Sequence, residues 1–257
     1  MTESLQKKAE NGMLNGDDIQ QIIALLDSGT IRVAEKQKGT WQTQEWIKKA
    51  ILAFFGTREI TEERMGSLTF CDKIPLKTKF EKVRIAPGGS SVRYGSFLAN
   101  GVVMMPPAYV NIGAYVDEGT MIDSNVLVGS CAQIGKRVHL SAGVQIGGVL
   151  EPAQATPTII EDDAFIGAGC IVVEGVCVSE GAVLAPGVVL SASTKILEID
   201  GNGKIIQEHY GVVPQNAIVI PGARPRGEVL FQTPILVGYR TEETGKKVEI
   251  NDLLRQF

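Results

Sequence analysis

The most regular feature of the sequence is an aliphatic side chain at every sixth residue through its central and later parts. The first series runs from Val92 to Ile146, and the second runs from Ile160 to Ile196. An α-helix repeats every 3.6 residues and a strand every two, so neither element by itself sustains a period of six. The positions are Val92, Leu98, Met104, Val110, Val116, Ile122, Val128, Ile134, Leu140, Ile146, Ile160, Ile166, Val172, Val178, Leu184, Leu190 and Ile196.

The residues between these positions fit short strands joined by tight turns. The fourth residue after each aliphatic is mostly small or β-branched, as at Ala114 and Thr120, and the residue before it is repeatedly glycine, as at Gly113 and Gly119. This self-similarity predicts a parallel β-helix, in which six residues form one strand and one turn and three such units complete a triangular coil. The series predicts between five and six coils with the aliphatic side chains inside. Known hexapeptide-repeat proteins imply a left-handed coil, because the period alone does not determine the hand.

The two series are separated by an interruption at 147–159, with the sequence GGVLEPAQATPTI. Pro152 and Pro157 break strand pairing, so this stretch is expected to leave the coil as a surface loop over about 147–158. The loop has two interpretations that the sequence leaves open. It is either a tolerated insertion or a flap over a groove between neighbouring subunits.

The start of the chain predicts a helix, because aliphatic residues recur there at helical spacing. Asp17 or Asp18 is the expected cap at its beginning, and Gly29 follows its end. The aliphatic positions are Ile19, Ile22, Ile23 and Leu26.

The next segment predicts two strands around a turn at Lys38-Gly39 and then a second helix over about 43–55. The segment 56–85 is weakly patterned and is expected to be a connection. Residues 1–84 are therefore predicted to form a small α/β domain.

The chain after Ile196 is expected to cover the open end of the coil. Asp200-Gly201-Asn202-Gly203 predicts a hairpin turn, and the final EINDLLRQF predicts a helix. The predicted fold class is thus mostly β. A left-handed parallel β-helix over 85–199 lies between an N-terminal α/β domain (1–84) and a C-terminal β/α cap (200–257).

Composition narrows the classes of function. Hydrophobic residues make up 44% of the chain, charged residues 21%, and the formal net charge is −4 without a basic tract. This argues against nucleic acid or an anionic membrane as a partner. No run of 18 apolar residues occurs, and the N-terminus is polar, so a cytoplasmic location is expected. The cysteines form no CxxC pair and are expected to behave as small hydrophobes: Cys71, Cys131, Cys170 and Cys177.

Several longer stretches resemble the tetrahydrodipicolinate N-succinyltransferase family. They include AYVNIGAYVDEGTMID, VGSCAQIGKRVHLSAGVQIGGVLEP and PTIIEDDAFIGAG, with IALLDSGTIRVAEK near the start and a weaker similarity at GKKVEINDLLRQF. The resemblance covers roughly 18–55 and 84–213. It implies transfer of succinyl from succinyl-CoA to the amine of L-2-amino-6-oxopimelate in lysine (diaminopimelate) biosynthesis. It also implies a homotrimer with sites between subunits.

Candidate substrate-binding residues follow from the resemblance. Arg84 stands where the family has an arginine that binds the substrate, and a substrate with two carboxylates needs cationic partners. Asp123 follows a core isoleucine, so it points outward, and the family carries an aspartate there that contacts the substrate. An aspartate can hold the substrate ammonium and then accept its proton. Arg93 and Asp117, with Glu118 beside it, are weaker candidates.

CoA is expected along a groove parallel to the coil axis, with the loop near its thioester end. The residues assigned to it are Gly148, Ala185 and Lys195, and no metal is expected. His139 is a further candidate base. The sequence departs from the family pattern at one position. A glutamate proposed as the acid or base of the family is replaced here by Ile171, and Glu174 is the nearest remaining carboxylate.

Other functions of a β-helix remain as alternatives. An N-acetyltransferase acting on a related amino acid or sugar amine is the nearest one. A zinc-dependent carbonic anhydrase on this fold needs three histidines per site, and the chain has two. The column could also be an interaction scaffold or an ice-binding surface. An ice-binding face needs regular rows of threonine, and only Thr120 and Thr194 occupy the turn position.

Overall fold

The computed structural model describes residues 2–241. The N-terminal elements are α1 (Thr2–Glu10), α2 (Gly16–Asp27), β1 (Ala34–Gln37), β2 (Thr40–Thr43), α3 (Glu45–Thr57), β3 (Thr61–Met65) and β4 (Leu68–Asp72). The two predicted helices and the predicted strand pair are confirmed. Helix α1 and the β3–β4 hairpin were not predicted, and the hairpin corrects the expectation that 56–85 is only a connection.

Helix α2 begins at a capping box that lies earlier than expected. The Asn15 side chain accepts a hydrogen bond from the Asp18 N–H (2.8 Å), and the Asp18 carboxylate accepts one from the Asn15 N–H (3.1 Å). The N-terminal cap is therefore Asn15, and Asp17 and Asp18 lie inside the first turn. Gly29 follows the helix as predicted, with φ +72° and the Phe97 ring so close that a Cβ would lie 2.7 Å from it.

The central part of the chain forms a column of stacked two-residue strands. In chain order these are β5 (Arg84–Ile85), β6 (Ser91–Val92), β7 (Phe97–Leu98), β8 (Val103–Met104), β9 (Tyr109–Val110), β10 (Tyr115–Val116), β11 (Met121–Ile122), β12 (Leu127–Val128), β13 (Gln133–Ile134), β14 (His139–Leu140), β15 (Gln145–Ile146), β16 (Ile159–Ile160), β17 (Phe165–Ile166), β18 (Ile171–Val172), β19 (Cys177–Val178), β20 (Val183–Leu184) and β21 (Val189–Leu190).

Each strand from β5 to β18 pairs in parallel with the strand three places further along the chain, which creates three faces. Face A contains β7, β10, β13, β16 and β19, face B contains β5, β8, β11, β14, β17 and β20, and face C contains β6, β9, β12, β15, β18 and β21. The second residue of each of these strands from β6 onward is one of the predicted aliphatic positions, and these are at most 4% exposed. The predictions of a mostly β protein and of parallel strands with a filled interior are confirmed.

The C-terminal elements are β22 (Lys195–Ile199), β23 (Ile205–Tyr210), β24 (Val212–Val213), β25 (Ala217–Ile220), β26 (Ala223–Arg226), β27 (Val229–Gln232) and β28 (Ile235–Tyr239). Strands β22 and β23 form the hairpin predicted around Asp200–Gly203. Strand β24 then pairs with β19 on face A, and β25 pairs with β20 on face B. The stacked strands thus run from β5 to β25. The helix predicted for EINDLLRQF lies outside the described residues.

The N-terminal domain packs on face A. Ile23 and Ile51, from α2 and α3, share one buried cluster with Ile112 and Cys131 of the column. A Cβ at Gly113 would lie 2.9 Å from the Ile51 side chain, so this close approach requires glycine. Face A and its corner with face C are therefore covered, whereas face B and the corner where face B turns into face C remain available for a site.

Candidate functional site

The corner where face B turns into face C carries a vertical row of small residues with one carboxylate at its lower end. The row consists of Asp123, Ser141, Gly167 and Ala185. Each residue donates its backbone N–H to the coil above: Asp123 to Leu140 O (3.0 Å), Ser141 to Ile166 O (3.0 Å), Gly167 to Leu184 O (2.8 Å) and Ala185 to Val219 O (2.8 Å). Successive coils lie about 4.8 Å apart. The row therefore extends about 15 Å parallel to the column axis, and we refer to this line of small side chains as the groove.

Asp123 is half-buried at the lower end of this groove. Its Oδ1 accepts a hydrogen bond from the Ser124 N–H at 2.7 Å, which orients the carboxylate. Among residues 2–241, the other carboxylate oxygen has no hydrogen-bond partner. One oxygen is thus held by the turn while the other can accept a proton or a hydrogen bond from a ligand.

Arg84 and His139 lie on face B, beside the groove. Both occupy the first, outward-pointing position of a strand, in β5 and β14 respectively. Arg84 lies two coils below Asp123, at about 10 Å along the axis. His139 lies one coil above β11, and its ring stacks on Phe165 with centroids 5.1 Å apart. The structure therefore brings Arg84, His139 and Asp123 to one side of the column.

Gly148 lies at a different corner, where face C turns into face A. The loop that starts there is fastened at two points: the Val149 N–H donates to Ser130 O (3.1 Å), and the buried Lys48 ammonium donates to Ala155 O (2.6 Å). Within one chain, Gly148 and Ala185 are thus on separate corners of the column. The structure does not bring these two predicted CoA contacts together.

Lys195, the third predicted CoA contact, is already engaged. Its ammonium lies 2.6 Å from a Glu208 carboxylate oxygen and 5.6 Å from the centre of the Tyr210 ring. The hydrogen bonds to Glu208 and Tyr210 raise the pKa of Lys195. A ligand phosphate would have to compete with Glu208 for this ammonium.

Most of the weaker candidates have internal partners as well. The Arg93 guanidinium pairs with Asp72 and donates to Asn111 Oδ1 (3.3 Å), so it joins the β4 strand to the column. A Glu174 carboxylate oxygen accepts a hydrogen bond from the Ala192 N–H (3.2 Å), which gives Glu174 a role in a turn. Ile171 points outward on face C and is 36% exposed.

Asp117 lies on a third corner, where face A turns into face B, and it lines a cavity there rather than the groove. Its Oδ1 accepts a hydrogen bond from the N–H of Glu118 (2.8 Å). Glu118 is exposed and pairs with Lys136 (3.1 Å).

Sequence reasoning missed two features elsewhere on the column. Lys48 holds the loop, yet it occurs in a run of helical apolar positions and carries no sequence signal of a buried charge. The β3–β4 hairpin folds over the beginning of face C and leaves a cleft of about 480 Å³ beside Ser91, Arg93 and Tyr109. The available signal for this hairpin was Gly66 between two short runs, the second of which, LTFCD, begins with alternating apolar and polar residues.

Residues 2–241 contain no cluster of three or more His, Cys, Asp or Glu side chains suited to a metal ion. The helices of this part of the chain are also too short or too polar to span a bilayer.

Comparisons with known proteins agree with the resemblance. The model "Tetrahydrodipicolinate N-succinyltransferase N-terminal" matches residues 2–57, and "Hexapeptide repeat of succinyl-transferase" matches residues 157–192. A 2,3,4,5-tetrahydropyridine-2,6-dicarboxylate N-succinyltransferase from Edwardsiella ictaluri (strain 93-146) is 48% identical, with 98% of this chain and 95% of that protein aligned. The protein of that name from Salmonella heidelberg (strain SL476) is 49% identical, over 92% of this chain and 88% of its own length.

A solved structure from Campylobacter jejuni, described as a candidate 2,3,4,5-tetrahydropyridine-2-carboxylate N-succinyltransferase, matches with a TM-score of 0.51. Its identity is 17%, and the match covers 87% of this chain and 63% of that one. At this identity the likeness concerns the fold alone.

Proposed function

The chain belongs to the tetrahydropyridine-2,6-dicarboxylate N-succinyltransferase family, and from this premise we propose that it transfers an acyl group along the groove of Asp123. It is a CoA-dependent N-acyltransferase of diaminopimelate and lysine biosynthesis. The observation that supports this position of the active site is the Asp123 carboxylate at the end of the groove. One of its oxygens is oriented by a hydrogen bond, and the other is open to a ligand.

The donor that we propose is succinyl-CoA, and the acceptor is the amine of L-2-amino-6-oxopimelate, which forms when the cyclic imine takes up water. The acceptor carries two carboxylates and one ammonium. Arg84 is suited to one carboxylate because it is exposed and, among the described residues, has no ion pair. Asp123 is suited to the ammonium, about 10 Å away along the axis.

The chemical step needs a base because an ammonium is not a nucleophile. We infer that Asp123 accepts a proton from the bound nitrogen, whose lone pair then attacks the thioester carbon. The carbon–sulfur bond breaks as the amide forms, and the CoA thiolate leaves and takes up the second proton that the nitrogen loses. The Ser124 N–H keeps the carboxylate in position throughout, since it binds the oxygen that does not accept the proton.

For CoA we propose the upper part of the groove, with Ala185 beside it. The small side chains at 141, 167 and 185 leave space for an extended chain along the column. Lys195 would meet a phosphate only after it exchanges Glu208 for the ligand. No step of this mechanism uses a metal.

We further propose a homotrimer with its sites between subunits. The support is geometric, because Gly148 and Ala185 lie on different corners of one column and a second copy is needed to bring such corners together. We also propose that the coil is left-handed, as in other hexapeptide-repeat proteins. We propose a cytoplasmic location, where acyl-CoA is made.

The test of the donor is a competition assay with succinyl-CoA and acetyl-CoA at equal concentrations, followed by mass spectrometry of the acylated product. We expect the succinyl product to predominate by at least about tenfold. A preference for acetyl-CoA would replace this assignment with the N-acetyltransferase alternative. Rescue of a strain that lacks the succinyltransferase, on medium without diaminopimelate, tests the acceptor.

A further inference from the structure

A second cavity lies at the corner between faces A and B, away from the groove of Asp123. It has a volume of about 290 Å³ and lies between the β1–β2 hairpin and the column. This is room for one small molecule in place of several waters. Its charged and aromatic lining consists of Arg32, Lys36, Trp41, Asp117, Glu161, Asp162 and Glu180.

Arg32 is the most constrained group in this cavity. Its guanidinium carbon lies 3.9 Å from the centre of the Tyr115 ring and 5.5 Å from that of Trp41, and its Nε donates to Gln133 Oε1 (2.9 Å). Burial lowers the pKa of Arg32. Among the described residues, no carboxylate lies within 4.0 Å of it. The two terminal nitrogens are thus held in position and remain available for a carboxylate ligand.

Glu161 has a different role, because it is fully used in holding the cavity together. One oxygen accepts hydrogen bonds from the Lys36 ammonium (2.6 Å) and the Trp41 indole N–H (2.7 Å), and the other accepts from the Glu180 N–H (3.1 Å). These contacts fasten the β1–β2 hairpin to the column. Because Lys36 is paired with Glu161, Arg32 is the cation in this cavity that has no ion pair among the described residues.

The remaining carboxylates give the cavity a negative excess. Asp162 Oδ1 accepts from the Lys136 N–H (2.9 Å), and Asp117 Oδ1 accepts from the Glu118 N–H, so each orients one oxygen and leaves the other open. Glu180 is exposed at the rim. With four carboxylates against two cations, the lining has two negative charges in excess. The negative excess of this lining would repel a simple anion. A simple cation would pair with the carboxylates but would leave Arg32 without a partner.

We propose that this cavity binds a basic amino acid, with its carboxylate on Arg32 and its two ammonium groups on Asp162 and on Asp117 or Glu180. This ligand carries one negative and two positive charges, so it pairs Arg32 and two of the three carboxylates other than Glu161. Trp41 packs against the aliphatic part of its side chain. Within one chain the cavity lies apart from the groove of Asp123, since it occupies another corner of the column.

Isothermal titration of the full-length protein with L-lysine at neutral pH and low salt tests the proposal. Two probes separate the contributions of the ligand groups: cadaverine lacks the carboxylate, and L-norleucine lacks the side-chain ammonium. We expect L-lysine to bind and each of these probes to bind at least about tenfold more weakly, as expected for the loss of a charge-assisted contact.

Matched variants test the location. Asp162→Asn keeps the oxygen that accepts from Lys136 but removes the charge, and Glu180→Gln changes an exposed side chain, so both are expected to fold. Each should weaken L-lysine binding about threefold to tenfold. Asp163→Asn is the control, because Asp163 is next in the chain but pairs with Arg137 (2.6 Å) instead of facing the cavity.

Three results would overturn the proposal. They are no heat of L-lysine binding up to 50 mM, equal binding of cadaverine and L-lysine, or an equal loss in the Asp163→Asn and Asp162→Asn variants. The titration measures binding without CoA or acceptor, so its failure leaves the acyl-transfer proposal unaffected.

Discussion

Replacing Gly129 with alanine should disturb the base of the loop that carries Gly148. Gly129 lies at the corner between faces C and A, directly below the Gly147-Gly148 peptide. A Cβ built on Gly129 would lie 2.2 Å from Gly148 N, 2.7 Å from Gly147 C and 2.7 Å from Gly148 Cα. All three atoms are backbone, so no side-chain rotation relieves the contact.

The size of the effect follows from these distances. Carbon atoms pack at about 3.5–4.0 Å, so the Gly147-Gly148 peptide must move by about 1 Å. Overpacking of this kind costs about 1–3 kcal/mol. For a chain of this length, each kcal/mol lowers Tm by about 2–4 °C, so a decrease of about 2–12 °C is expected, or about 4–8 °C at the middle of the energy range. Because Gly148 is a proposed CoA contact, KM for succinyl-CoA should rise at least about threefold while kcat changes less.

The assay is differential scanning calorimetry together with steady-state kinetics at varied succinyl-CoA. Gly238→Ala is the matched control, because a Cβ there meets no atom within 4 Å and the backbone has no positive φ. That control should change Tm little or raise it slightly. A Gly129→Ala protein with the Tm and KM of the wild type would refute the close packing at this corner and the role given to the loop.

Three further predictions follow from burial and charge. Ile134→Ala, at a core position with 0% exposure, should reduce the free energy of unfolding by about 2–5 kcal/mol in urea titrations, whereas Ile171→Ala should change it by less than about 1 kcal/mol. Burial raises the pKa of Glu161, but its hydrogen bonds from Lys36 and Trp41 outweigh burial and lower it. The ionised Glu161 carboxylate therefore stabilises the fold fully above the ordinary carboxyl pKa, and this stabilisation is lost as pH falls through the lowered pKa of the folded protein. Glu161→Gln should thus flatten the acid limb of a curve of unfolding free energy against pH. Native protein at pH 8 should show fast thiol labelling at the exposed Cys71 only, with slow labelling at the buried or half-buried Cys131, Cys170 and Cys177, whose thiol pKa values burial raises to about 12, 11 and 12.

The column could be predicted from sequence because one physical requirement repeats along it. Each strand contributes a single inward side chain, so a missing aliphatic would be visible as a gap, and the interruption at 147–159 was visible for the same reason. The N-terminal helix α1 could not be found this way, since only Leu5 and Ala9 of it are buried. The capping residue Asn15 was missed because Asp17 and Asp18 are equally good caps by residue type.

The candidate site could be predicted only in part. Asp123 and Ala185 are in phase with the repeat, so their common corner follows from their offset from Ile122 and Leu184. Gly148 lies beyond the end of the first series, and its distance from Ala185 depends on how copies of the chain assemble. The pairing of Lys195 with Glu208 depends on the register of the β22–β23 hairpin, which the turn sequence alone did not give.

The central claim, that Asp123 is the base at an exterior corner of the column, is tested most directly by steady-state kinetics of Asp123→Asn. The amide keeps the side-chain shape and its oxygen can still accept from the Ser124 N–H, but it cannot take a proton from the amine. Turnover with succinyl-CoA should fall at least about tenfold, in the range expected for loss of a general base, and Asp163→Asn should retain wild-type turnover. Unchanged turnover in the folded Asp123→Asn protein would contradict the account.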